Sequence, residues 1–346
     1  MDHSSVQKII VRMPNWIGDI VMATPFIHEV RKFYPKAHLT VMCQYPGSDL
    51  LLQDPSIDEL FAFKRSKPLF MRRDPQQSIT ERLKIGHYDL GFLLTNSWSS
   101  AWWFFQGGVK ERVGFKNGLR QLLLTRCYKK PPKESPIHQV DEYRILLGQI
   151  AKGASAMRPI LYLDDQEKRE AERLLNRLGI EQKDTVIGIS PGASYGSAKC
   201  WPVEYFVDLV KRLKAHPTVK VIFLGDAGQE PMIASIIEQT ASQAINLAGK
   251  TSLRELMAII QAVDLLLTND SGPMHIAAAL QKPLIALFGS TDPRKTGPYR
   301  SDQVLYNPAA CSPCFKRECP IDFRCMRSLT PDLVYREIAK QLHLER

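Results

Sequence analysis

The sequence has no apolar run long enough to cross a bilayer. The best candidate, IAAALQKPLIALFG (276–289), is broken by Gln281, Lys282 and Pro283, whereas a spanning helix needs about 20 consecutive apolar residues. The start, MDHSSVQKIIVRMPNWIGD, lacks a basic segment followed by an apolar one. A secretory signal is therefore not expected, and the chain is expected to work in the cytoplasm. Its seven cysteines are then expected to be thiols or metal ligands before disulfides. Two nucleotide-binding patterns are missing as well. No G-x-G-x-x-G follows a strand, which argues against a dinucleotide dehydrogenase, and no G-x-x-x-x-G-K-[ST] occurs, which argues against a P-loop enzyme. RRM, KH and zinc-finger patterns are also lacking.

What is present is a chain of 346 residues, 44% hydrophobic and 24% charged, with a formal net charge of +10. The length suggests two domains. The composition supports a sizeable core, and the charge points to an anionic partner: a phosphorylated substrate, an acidic membrane surface or nucleic acid.

Apolar periodicity organises the chain. KIIVRM (8–13), HLTVMCQ, ELFAF and YDLGFLL read as strands, with DIVMATPFIHEVRKFYP and Ser99–Gln106 as helices between and after them. A proline-rich break, KKPPKESPIH (129–138), is followed by a helical stretch, QVDEYRILLGQIA, and by the amphipathic DQEKREAERLLNRLGI. A second series then begins: TVIGIS, VKVIFLG, AINLAG, DLLLT and PLIALFG as strands, the last of these ending the series, with helices between them. Strands alternating with helices imply an α/β fold with parallel sheets, here two similar halves facing a cleft.

In such sheets ligands bind beyond the carboxyl ends of the strands, where helix N-termini suit phosphate. The second half has three corners of that kind, PGASYGSAK, GDAGQE and TNDSGP. Each alone reads as a capped loop; three in one half point to a nucleotide site. In the third, Ser271 and Gly272 offer a hydroxyl and backbone N–H groups to a diphosphate. Asp270 would repel phosphate and suits sugar hydroxyls. Lys199 in the first corner is a mobile cation for a leaving phosphate. His275 follows Ser271 by four residues, on the same helix face. In the first half Asp19 opens a helix after Gly18, where an acid favours the helix dipole and could also serve as a general base.

The stretches RMPNWIGDIVMATP, PGASYGSAKCWP and TNDSGPMHIAAAL, in this order over nearly the whole chain, resemble the lipopolysaccharide heptosyltransferase family. PGA…AKCWP with CSPCFKRECP is most similar to its heptosyltransferase II branch. The resemblance implies a GT-B fold of two Rossmann-like domains facing a central cleft. It implies inverting transfer of heptose from ADP-heptose (ADP-L-glycero-D-manno-heptose) to the lipopolysaccharide inner core of Kdo and heptose on lipid A, onto the first heptose, with neither metal nor cofactor. The family's base aspartate falls on Asp19 and its nucleotide-loop lysine on Lys199. Its D-[ST]-G-x-x-H motif falls on Asp270, Ser271, Gly272 and His275. Ser194 matches the hydroxyl residue of the first loop, where Tyr195 departs from the Thr-Thr pair of some members. The ribose-binding acid expected between Asp226 and Glu230 is not assigned, nor is any acceptor-binding residue.

On this reading residues 1–165 form an acceptor domain and 166–327 an ADP-sugar donor domain, while 328–346 form a C-terminal helix expected to pack back on the first domain. FKRSKPLFMRR (63–73), GLRQLLLTRCYKK (118–130) and NSWSSAWWFFQGG (96–108) offer basic and aromatic surface to acceptor anions or to the anionic inner leaflet. The enzyme is then peripheral on the cytoplasmic face of the inner membrane. Of Trp102, Trp103, Phe104 and Phe105, at least half are expected in the core. Cys311, Cys314, Cys319 and Cys325, spaced C-x2-C-x4-C-x5-C, suit structural zinc, a packed thiol cluster or, under oxidation, two disulfides. One alternative is the same fold with another nucleotide sugar or acceptor. Another is a basic, zinc-stabilised nucleic-acid-binding protein, against which the spread of the basic residues argues; no nucleic-acid partner is expected.

Overall fold

The computed structural model describes residues 6–64, 75–132, 135–151, 157–300 and 303–344. FKRSKPLFMRR (63–73) therefore lies, apart from its first two residues, outside the described residues. The chain divides into two compact units, Met1–Tyr162 and Leu163–Arg346.

The first unit contains β1 (Lys8–Arg12), β2 (His38–Gln44), β3 (Glu59–Phe63), β4 (Leu90–Leu93), β5 (Glu111–Phe115) and β6 (Arg126–Tyr128), ordered β3-β2-β1-β4-β5-β6. The second contains β7 (Thr185–Ser190), β8 (Val219–Phe223), β9 (Ile245–Asn246), β10 (Leu265–Asn269), β11 (Leu284–Phe288) and β12 (Val304–Tyr306), ordered β12-β11-β10-β7-β8-β9. Neighbouring strands are parallel throughout. A strand between two helical layers is covered on both faces, so it reads as a near-continuous apolar run. The central strands LGFL, LLLTN and LIALF are buried at every position. In each sheet the strand order reverses once, between β1 and β4 in the first unit and between β7 and β10 in the second. Those two reversals open the crevices where such sheets bind ligands. The α/β class with two parallel sheets is as expected.

Three details differ from the sequence reading. PLIALFG is not the last strand, because β12 adds in parallel to β11, and β5 and β6 extend the first sheet. The helix expected from Asp19 to Pro35 is two helices, Ile17–Met22 and Thr24–Phe33. Pro25 has no N–H for the Val21 carbonyl one turn back, and the Thr24 hydroxyl donates to that carbonyl instead, at 2.9 Å. Finally, the C-terminal helix, Pro331–Leu342, belongs to the second unit and packs on the helix Val203–Leu213, whereas 328–346 was expected to return to the first domain. Its Val334 and Ile338 are fully buried in the second unit's core together with Phe206, which an amphipathic helix with that apolar spacing requires.

The helix Asp165–Arg177 starts on a reciprocal capping box between Asp164 and Glu167. The Glu167 carboxylate also takes Nε of Arg254, at 2.6 Å, from the helix Leu253–Ala262. The ion pair locks these two helices side by side on the sheet.

Candidate active site

The strand-order reversal in the second unit brings together the loops after β7 and β10. Asn269, wholly buried at the end of β10, joins them: its Nδ2 donates to Pro191 O at 2.6 Å, and its Oδ1 accepts from Trp201 N at 3.1 Å. The Trp201 indole is buried against Phe206 and donates to Leu329 O at 2.7 Å. The polar loop 191–199 is thus held by an apolar anchor at one end and an amide bridge at the other.

Lys199 and Asp270 meet across this junction, with Nζ 2.5 Å from Oδ2 and side chains only 13% and 4% exposed. Thr291, from the corner after β11, donates to the same oxygen at 2.6 Å. Charges removed from water persist only when paired and hydrogen-bonded, and both conditions are met for Asp270. Its other oxygen, Oδ1, has no hydrogen-bond partner among the described residues. Lys199, expected as a mobile cation, is held in place by this carboxylate. Burial raises the pKa of the neighbouring Cys200 thiol, so it adds no second negative charge there.

Ser271 is the N-cap of the helix Gly272–Ala279, yet its hydroxyl caps nothing and lies 3.2 Å from Thr268 Oγ1. Lys199, Asp270, Ser271 and Gly272 are therefore gathered at one strand-end crevice, while His275 is buried one turn along the helix and Ser194 is exposed on the loop after β7.

A second clamp on the Lys199 loop comes from the cysteine-rich segment. Ala198 N donates to Arg317 O and the Tyr195 hydroxyl to Phe315 O, both at 2.9 Å. The Tyr195 ring is approached by two cations, Lys199 Nζ at 4.9 Å and the Arg317 guanidinium at 5.3 Å from its centroid. A Cβ at Gly196 would stand 2.2 Å from Arg317 O, so only glycine lets the two backbones approach this closely. Cys311, Cys314, Cys319 and Cys325 line one small cavity of about 90 Å³ with Ala198 and Ser290. All four are free thiols, and among the described residues no three His, Cys, Asp or Glu side chains are arranged to hold a metal ion.

Several residues of this site were missed in the sequence. Thr291 and Arg317 carry no motif and reach the site only through folding. Gln229, in the corner after β8, lies between Asp226 and Glu230, where the sequence reading expects an acid. Its Nε2 donates to Asp226 Oδ2 at 3.2 Å, and its Oε1 is buried without a hydrogen-bond partner among the described residues. A Cβ on either Gly192 or Gly225 would strike its amide, so Gln229 spans the first two corners. The polar Q in GDAGQE was the available signal.

In the first unit Asp19 stands in the first turn of Ile17–Met22, just beyond β1 and beside that unit's strand-order reversal. It is half-buried. Burial and then the Asp19 carboxylate raise the pKa of the Tyr143 hydroxyl well above its ordinary value, which keeps Tyr143 protonated beside the acid.

Comparison with known proteins identifies the family. The model of glycosyltransferase family 9 (heptosyltransferase) matches residues 77–323. The lipopolysaccharide heptosyltransferase 2 of Escherichia coli K12 is 32% identical over 84% of this chain and 85% of its own length. The lipooligosaccharide heptosyltransferase 2 of Campylobacter jejuni is 26% identical over 96% of this chain and 98% of its own. Among solved structures, the E. coli ADP-heptose lps heptosyltransferase II superposes with a TM-score of 0.81 at 27% identity, covering 97% of this chain and 98% of that one. The chain, with its nucleotide-type corners at the strand-order reversal of the second sheet, belongs to glycosyltransferase family 9, the heptosyltransferases.

Proposed function

We propose that the enzyme transfers heptose from ADP-L-glycero-D-manno-heptose to the inner core of lipopolysaccharide, onto its first heptose, with inversion and without a metal in the transfer step. The observation that carries the reading is the junction of Lys199, Asp270 and the N-terminus of the helix Gly272–Ala279 at one strand-end crevice. It offers a cation and helix N–H groups to a diphosphate, and a carboxylate oxygen to a sugar hydroxyl. The same donor class is named for the E. coli relative.

The acceptor hydroxyl attacks the anomeric carbon on the face opposite ADP. The new C–O bond forms as the bond from that carbon to the phosphate oxygen breaks, and ADP leaves with the electron pair. Asp19 takes the acceptor's proton. Lys199 and the helix N-terminus stabilise the charge gathering on the diphosphate, the role a divalent cation would otherwise fill. Lys199 begins in its pair with Asp270 and shares its protons with the phosphate oxygens, so the cation is already positioned when the donor arrives. Asp270 Oδ1 and Ser194 bind donor hydroxyl and phosphate groups, and His275 supports the turn that carries Ser271.

The acceptor is anchored in lipid, so the reaction takes place at the cytoplasmic face of the inner membrane, with the enzyme attached peripherally. No described helix is long and apolar enough to cross a membrane.

The test is thermal stabilisation by ADP-, UDP- and GDP-sugars, followed by transfer assays in excess chelator. A ligand that binds only the folded state raises the melting temperature. ADP-heptose should do so, with transfer persisting in chelator. Stabilisation by a UDP- or GDP-sugar instead would reassign the donor, and strict dependence on added magnesium or manganese would overturn the metal-free step.

A further inference from the structure

The helix Trp98–Gln106 divides its aromatic residues between two faces. Trp103 and Phe104 are 3% and 0% exposed. Trp98, Trp102 and Phe105, at i, i+4 and i+7, are 49%, 40% and 45% exposed. They form a continuous outer row, with Trp98 and Trp102 stacked at 6.5 Å and Trp102 and Phe105 at 5.9 Å between ring centroids. Folding in water normally turns such a row inward.

The row continues into the 3-10 turn Gly118–Leu123, which packs beside the helix. There Leu119 and Leu122 are 72% and 74% exposed. Asn117 Nδ2 ties the start of the turn to Asn96 O at 3.1 Å. Arg112 ties its end, donating to Leu123 O at 2.7 Å while its guanidinium stands 5.4 Å from the Phe105 ring centroid. Five large exposed apolar side chains are thereby carried on two adjoining elements of the first unit.

The rim of this face is cationic. Between Gly107 and Lys130 the sequence has seven Lys and Arg residues and one acid, Glu111. Lys110, Arg126 and Lys130 are exposed but paired with Asp89, Glu111 and Glu142, whereas Lys116 and Lys129 are exposed with no ion-pair partner among the described residues; the Lys116 N–H donates to Tyr128 O at 2.8 Å, next to Lys129. Amphipathic aromatic rings above a basic rim match the boundary between lipid headgroups and acyl chains. A second copy of the chain is the poorer occupant, because a two-fold contact would bring the same cations together.

We infer that the face built from Trp98, Trp102, Phe105, Leu119 and Leu122 docks on an anionic lipid surface, with the apolar row in the acyl boundary and the lysines on the headgroups. The inference extends the reading of a lipid-anchored acceptor and is tested without any acceptor, so its failure and that of the transfer reaction are separable.

The experiment is co-sedimentation of the full chain with vesicles of phosphatidylcholine alone or mixed with phosphatidylglycerol. The unaltered protein should bind the anionic vesicles, less so as salt rises. Trp102→Gln/Phe105→Gln and Leu119→Gln/Leu122→Gln should each weaken binding by about tenfold or more. Lys116→Gln and Lys129→Gln should each weaken binding to the anionic vesicles by about fivefold and leave neutral ones unaffected. Leu178→Gln, at an exposed leucine of the second unit, should bind as the unaltered protein does. Melting temperatures close to that of the unaltered protein confirm that these surface changes leave the fold intact. No binding to anionic vesicles, binding unchanged by the aromatic and leucine substitutions, or an equal loss in Leu178→Gln would overturn the inference. So would a dimer in solution that the aromatic substitutions convert to monomer.

Discussion

Lys199 Nζ lies 2.5 Å from Asp270 Oδ2, and this contact joins the loop after β7 to the corner after β10. A sequence motif supplies each residue separately; only the fold shows that the cation and the acid are partners before any ligand arrives. The pair explains how a carboxylate that is 4% exposed is tolerated beside the proposed diphosphate site: its charge is already neutralised by Lys199 and bonded by Thr291.

Removing Lys199 should therefore affect both stability and binding. Loss of one partner of a fully buried pair costs about 3–5 kcal/mol. Thr291 remains to bond Asp270, so Lys199→Met should cost about 1–3 kcal/mol. Donor affinity should fall tenfold or more, the equivalent of about 1.5–3 kcal/mol in charge-assisted bonds. Lys199→Met/Asp270→Asn should recover part of the stability and none of the affinity. Calorimetric titration with ADP and thermal melts of the two variants test this. Unchanged ADP affinity in Lys199→Met would place the lysine outside the donor site.

The carbonyl of Arg317 against Gly196 gives a second test. A Cβ there meets a backbone atom at 2.2 Å, and a main chain yields less easily than the tip of a side chain. Gly196→Ala should cost about 1–3 kcal/mol in overpacking and displace the segment that carries Lys199, lowering both melting temperature and ADP affinity. If both stay at their original values, the cysteine-rich segment does not support the loop.

A third prediction concerns acid stability. The Asp89 carboxylate accepts the backbone N–H groups of Gln7 and Lys8, each at 3.0 Å, and Lys110 Nζ at 2.8 Å. Partial burial alone would raise its pKa, but the Lys110 bond and the two N–H bonds outweigh burial and lower it. A carboxyl whose folded pKa lies below its unfolded value of about 3.9 stabilises the fold fully above that value. The contribution is lost as pH falls through the folded pKa. Asp89→Asn should melt below the unaltered protein by a constant interval from pH 7 to about 5, and the interval should close below about pH 4. An interval that widens on acidification would contradict the assignment.

The parts legible in sequence were those with local causes. ELFAF and HLTVMCQ occupy β3 and β2 as read, because their apolar runs are bounded by turn residues. β6 and β12 were not legible: they are edge strands of three residues, RCY and VLY, too short to show a period. β5 begins with Glu-Arg and contains Gly114, which weakens its strand pattern. The site divides in the same way. Lys199, Asp270 and Ser271 sit in motifs at strand ends. Thr291 and Arg317 act through contacts between segments far apart in sequence, and spacing along the chain carries no trace of them. The C-terminal helix was misplaced for the same reason, since its apolar stripe shows that it packs but not on which partner.

The last prediction concerns Asp19, whose position in the first turn of a helix has a simple structural explanation. An acid there stabilises the helix dipole by about 0.3–1 kcal/mol. Asp19→Asn keeps the shape of the side chain and removes the charge, so the fold should survive with at most that loss. Tyr143 should also titrate at a lower pH, because the Asp19 carboxylate contributes to raising its pKa. If Asp19 takes the acceptor's proton, turnover should fall by about 10²–10⁴-fold. ADP binding should persist, because Lys199, Asp270 and Ser271 all lie in the second unit. Single-turnover transfer, ADP titration and thermal melts on the same variant separate the two roles. Near-normal turnover in a folded, ADP-binding Asp19→Asn protein would leave Asp19 as a helix-start acid and pass the role of base to another carboxylate.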